Sequence, residues 1–133
     1  MKITKEMLIA KSACISGQTW FLDHFPSGAA DYQEVMDALA SENRRMYAEW
    51  LVRTFSLVYS SHTATKLKGL SDANMFIAGD AVVDGDLERC NIIVAGSLTV
   101  EGAIVSAANI LVAGRLHVRD SISCKTLYAM TGI

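Results

Sequence analysis

Residues 75–133 read, in consecutive blocks, MFIAGD (75–80), AVVDGD (81–86), LERCN (87–91), IIVAGS (92–97), LTVEGA (98–103), IVSAAN (104–109), ILVAGR (110–115), LHVRDS (116–121), ISCKTL (122–127) and YAMTGI (128–133). Apolar residues fill the first and third places of nearly every block, and glycine or another small or turn-forming residue holds the fifth. Alternation of period two is strand-like, and a turn residue at a fixed offset bends the chain after a few residues. Three such blocks make one coil. Asn74, Asn91 and Asn109 each open a closely similar stretch, and Gly79, Gly96 and Gly114 keep the same spacing of 17 and 18. A fixed internal period of this size is the signature of a β-solenoid.

The inward positions stack as five aliphatic columns: Met75, Ile92 and Ile110; Ile77, Val94 and Val112; Ala81, Leu98 and Leu116; Val83, Val100 and Val118; Leu87, Ile104 and Ile122. Working outward from the repeat, residues 57–73 read as a connector or a degenerate first coil, because only Leu70 falls in register, 17 residues before Leu87. Residues 1–56 have another rhythm. Thr4 caps a short helix from Lys5 to about Ser12, and Ile15 to Phe25 forms an apolar cluster ended by Pro26, Ser27 and Gly28. Asp31 caps a helix carrying Tyr32, Val35, Met36 and Leu39 on one face, and Met46, Tyr47, Trp50, Leu51 and Phe55 continue at helical spacing with Glu42 and Glu49 outward. The expected fold is therefore α+β: a small module of three or four helices over 1–56, then a short three-sided solenoid of about three coils over 74–133.

Composition bounds the function. The chain has 133 residues with 12 Lys+Arg against 14 Asp+Glu, divided evenly about residue 60, and its formal net charge is −2. Such a balance leaves no electrostatic footprint for nucleic acid. The apolar stretches are too short to span a bilayer and the N-terminus lacks a signal pattern, so a cytoplasmic, non-membrane protein is expected. The odd count of three Cys argues for reduced thiols.

Residues 74–125 resemble the bactofilins, polymer-forming bacterial proteins built on a three-sided right-handed β-helix, through the recurrent Gly-x-φ-x-Val-x-Gly run seen as GDAVVDG (79–85) and GSLTVEG (96–102). The left-handed hexapeptide acyltransferases also use six-residue blocks but favour one large aliphatic per block, where this chain has two. Periodicity alone leaves the handedness open. The opening AKSACISGQTWFLDHFP (10–26), with Gly28 after it, resembles a short helical module of small phage and prophage proteins. That likeness implies a viral or mobile-element origin and carries no catalytic assignment.

The outward places of the repeat are mostly polar, with one exception. Phe76, Ile93 and Leu111 present large apolar side chains on three successive coils, extended by Tyr128 and flanked by Ala78, Ala95 and Ala113. A contiguous apolar stripe marks a buried contact, made either by the N-terminal helices folding back or by a partner. With Leu127, Tyr128 and Met130 of the last coil, these residues form the expected protein interface, and a closed homodimer follows from it. Arg119 falls in the column of Asp84 and Glu101 and is expected to pair there. Cys90 and Cys124 share a corner two coils apart, about 9–10 Å, too far for an undistorted disulfide, and Cys14 is expected in the core. His24, His62 and His117 lack ligand spacing, and no Walker loop, nucleophile elbow or calcium loop occurs. No catalytic residue, metal or cofactor is assigned. The expected function is a non-enzymatic phage or prophage protein that binds a host protein, an inhibitor of a defence complex such as a CRISPR effector being the natural example. The alternative is a bactofilin-like self-assembling scaffold.

Overall fold

A computed structural model describes residues 1–55 and 64–129. The N-terminal part runs β1 (Lys2–Thr4), α1 (Lys5–Ala10), α2 (Ile15–His24), β2 (Ala29–Asp31), α3 (Tyr32–Ser41) and α4 (Arg45–Thr54). Thr4 caps α1 as expected, its hydroxyl accepting from Met7 N at 3.2 Å. Asp31 stands at the N-cap of α3 without a side-chain bond, its carboxylate turned to the N-terminal ammonium at 3.9 Å. The antiparallel pairing of β1 with β2 was not anticipated. It is only three residues long, below what period-two alternation can reveal.

The rest is a parallel β-solenoid: β3 (Thr65–Ser71), β4 (Asn74–Ile77), β5 (Ala81–Glu88), β6 (Asn91–Val94), β7 (Leu98–Val100), β8 (Ile104–Val112), β9 (Leu116–Val118) and β10 (Ile122–Ala129). One face stacks β4, β6, the second half of β8 and β10, in the register Asn74, Asn91, Asn109, Thr126. A second stacks β3, β5, β7 and β9, and the third aligns Leu70, Leu87, Ile104 and Ile122. This makes about four turns where three were expected. Thr65–Ser71 supplies the additional turn, which alternation concealed because a polar Thr65 takes the inward place of Ala81 and the register shifts between Lys68 and Leu70. All five aliphatic columns occupy one interior cluster.

The glycine spacing has a physical cause. Asp80 Oδ1 reaches over the next turn to accept from Ser97 N at 2.8 Å, and a Cβ on Gly96 would lie 2.2 Å from that oxygen. One turn's corner side chain thus occupies the space that the next turn's glycine leaves. Asp86 repeats the device over Gly102 to reach Ala103 N at 2.8 Å. A different corner is turned by Asp72, Arg89 and Ser106, each at φ between 52° and 54°. There the Arg89 guanidinium grips the Asp72 carboxylate at 2.7 and 2.9 Å and lowers its pKa.

The apolar stripe is covered from within the chain. Phe76, Ile93 and Leu111 are buried with Ala95 and Ala113 in the same cluster as Tyr32, Val35, Met36, Leu39, Leu51 and Val52 of α3 and α4. Docking is directional as well as apolar. Gln33 Nε2 donates to Phe76 O at 3.0 Å while Gln33 Oε1 accepts from Ala78 N at 2.8 Å, so one side chain closes the free edge of β4 as a further strand would. Asn74 Nδ2 donates to Ala40 O at 3.0 Å beside it.

Candidate binding site

The stretch between α3 and α4 places the site. Asn43 adopts a left-handed φ of 54°, Asn43 N donates to Ala40 O and Arg44 N to Leu39 O at 2.8 Å, which is the Schellman closure of a helix end. The turn is so tight that α4 starts at Arg45, with Arg44 as its N-cap. Its first turn therefore lies beside the first turn of α2, where Cys14 is the N-cap. Tyr47 OH donates to Ser16 Oγ at 3.0 Å across the two helices, and Ser16 Oγ lies 3.3 Å from Cys14 Sγ.

Between these helices and α1 is an apolar cavity of about 300 Å³, lined by Leu8, Trp20, Phe21, Trp50 and Leu51, with Cys14, Gly17, Met46 and Tyr47 among its other walls. The last residues of that set also border an open groove of about 750 Å³ that runs past Ser16, Arg44 and Arg45 to the corner asparagines Asn91 and Asn109 of the solenoid. Cavity and groove thus share a mouth formed by Cys14, Met46 and Tyr47. Met46 is 77% exposed there, and Ile15 nearby in α2 is 81% exposed.

Gly17 lines the cavity from the first turn of α2. A Cβ built on it would meet nothing closer than Cys14 Sγ at 3.4 Å, and its φ is not positive. Neither packing nor backbone conformation requires glycine here, although glycine disfavours a helix interior by about 1 kcal/mol relative to alanine. The missing side chain keeps the cavity open.

The groove beside the mouth is cationic. Arg44 and Arg45 are the charged residues that border the groove, and α4 has no acidic residue in its first turn. Arg44 lies 3.7 Å from Glu42 and Arg45 3.9 Å from Glu49, but Glu42 is also held elsewhere. Its carboxylate accepts from Trp20 Nε1 at 3.2 Å and from His24 Nε2, while His24 Nδ1 donates to Trp20 O at 2.8 Å. With acceptors at both ring nitrogens, the Trp20 carbonyl foremost, the His24 pKa is raised, and the Trp20 and His24 bonds lower that of Glu42. Hydrogen bonds from Ser16 and from Gly17 N hold the Cys14 thiol below its usual range.

Several sequence expectations change at this point. Cys14 is exposed, not in the core, because it caps α2 instead of lying on its buried face. Cys90 is buried, Cys124 half-buried and all three thiols are free. Glu42 is exposed as expected, but it stands at the C-cap of α3 and clasps that helix end to Trp20 and His24 of α2. Arg119 forms no ion pair with Asp84 or Glu101 among the described residues. Phe76, Ile93 and Leu111, expected at a protein interface, are at most 2% exposed, since α3 and α4 occupy their face. Leu127 is half-buried and Tyr128 exposed beneath the Arg53 guanidinium, 4.8 Å from its ring centre. Met130 and His62 lie outside the described residues. Among the described residues no His, Cys, Asp and Glu cluster of three is arranged for a metal, and no helix is long and apolar enough to cross a membrane. Sequence reasoning missed Gly17, Arg44 and Arg45. The available signals were a glycine inside a helical pattern and two cations where a helix favours anions.

Fold and site together define a β-solenoid capped by a helical module that carries an open apolar cavity. Residues 1–62, a little under half of the chain, match the family model of the YdhT N-terminal domain. No curated protein and no solved structure matches the chain. The family match covers the helical module and carries neither phage nor defence-inhibitor identity, and no match supports bactofilin identity for the solenoid.

Proposed function

We infer that the chain is a non-catalytic protein-binding module that receives its partner on the helical cap. One observation carries this reading: a glycine that neither packing nor conformation demands holds open an apolar cavity whose mouth carries the exposed side chain of Met46. An apolar cavity that opens beside the exposed side chain of Met46 suits the large side chain of a partner, the usual anchor of a protein interface. The solenoid is the rigid mount. Its covered stripe fixes the orientation of α3 and α4, and its corner asparagines extend the recognition surface. A host protein complex, including one of a bacterial defence system, is the class of partner proposed.

The test is comparative capture from bacterial lysate with the wild-type chain and Gly17→Leu, which fills the cavity from inside a helix. A partner retained by the wild type, lost by Gly17→Leu and bound directly when purified supports the reading. Equal capture by both, with Gly17→Leu folded by circular dichroism, overturns it.

A further inference from the structure

Cavity and groove differ in chemistry, and the difference specifies an occupant. The cavity takes an apolar group. The groove beginning at its mouth is bordered by Arg44 and Arg45 and carries no acidic side chain on its walls. The two arginines stand at the N-terminus of α4, where the helix dipole already places partial positive charge and cations are disfavoured. Glu42 and Glu49 offset them only from 3.7 and 3.9 Å, and Glu42 is claimed by Trp20 and His24. The cationic groove therefore opposes local helix stability, and a bound carboxylate would relieve it. Farther along, the groove is bordered by Asn91 and Asn109 of the solenoid, where Asn91 Nδ2 donates to Asn74 Oδ1 at 3.0 Å and Asn109 Oδ1 accepts from Thr126 Oγ1. The groove's 750 Å³ exceeds what one anchoring side chain fills, so it has room for a longer segment.

We propose that the site recognises a segment of a partner protein in which a large apolar residue is followed by acidic residues: the apolar side chain enters the cavity, the carboxylates face Arg44 and Arg45, and the backbone continues over Asn91 and Asn109. This rests on the protein-binding reading above and adds the chemistry of the partner. Charge complementarity selects the occupant, since a basic segment would meet the two like charges that border the groove.

A displayed library of random peptides selected on the full chain provides the test. Enriched peptides are expected to pair Trp, Phe or Leu with neighbouring Asp or Glu. A synthetic peptide of the enriched sequence should bind Arg44→Glu/Arg45→Glu about tenfold or more weakly, with Arg44→Gln/Arg45→Gln intermediate, and should weaken as salt rises. Arg115→Glu, on the solenoid away from the groove, should leave binding unchanged. Enriched peptides without acidic residues, or affinity unaltered in both arginine variants, would overturn the acidic-segment inference. If such peptides still lost binding in Gly17→Leu, the protein-binding reading would stand without it. If no selected peptide depended on Gly17, both would fall.

Discussion

Gly17 sits in the first half of α2 with room for a methyl group, so Gly17→Ala is expected to raise stability by about 0.5–1 kcal/mol while narrowing the cavity. Denaturant melts and peptide affinity together check this opposition, and destabilisation would refute the argument that the glycine is kept for its missing side chain. A second residue-scale expectation concerns His24 and Glu42. The folded pKa of His24 is raised from an ordinary 6.5, so its contribution is complete below that value and is lost as pH rises through the higher folded value. Glu42 is depressed from an ordinary 4.5, so its contribution is present above 4.5 and is lost as pH falls through the lower folded value. The clasp is therefore strongest between about 4.5 and 6.5. His24→Gln should flatten the stability profile on its alkaline side, measured by thermal melts across pH.

Strand residues respond differently to charge according to whether they face the solenoid interior or the helical cap. Val100 is fully buried between Val83 and Val118. Val100→Asp places an unpaired carboxylate there, costs several kcal/mol and should abolish the β signal in circular dichroism. Ile93 lies one face away, beneath α3 and α4. Ile93→Glu should release the helices first, exposing Trp20 and Trp50 to solvent quenching while the strand signal persists. Simultaneous loss of both signals would mean that cap and solenoid form one cooperative unit.

At the scale of the molecule, the two ends of the solenoid oppose indefinite stacking. Continuing the observed register, a second copy's β3 laid on β9 would set Lys68 beside Arg119. Like charges directly opposed across strands destabilise pairing, and Gln33 already occupies the edge of β4. We propose that any self-association is instead a closed two-fold contact through β10, where Leu127 is half-buried and Tyr128 exposed. Light scattering should accordingly give a dimer of fixed mass over rising concentration. A monomer would reject the dimer, and growth without limit would favour the bactofilin-like scaffold.

The repeat was legible because a solenoid writes its tertiary contacts into a one-dimensional period: residues 17 or 18 apart are neighbours, so columns such as Val83, Val100 and Val118 can be read without coordinates. The apolar stripe was legible for the same reason, as a break in outward polarity. What covered it was not, because the complementarity of α3 and α4 to that face depends on non-periodic contacts such as Gln33 to the edge of β4. The cavity also belongs to tertiary structure alone. Leu8, Gly17, Trp20, Met46 and Trp50 come from three helices, and their distances are set by one Schellman turn and by the docking of the cap on the solenoid, neither of which leaves a repeating mark in the chain.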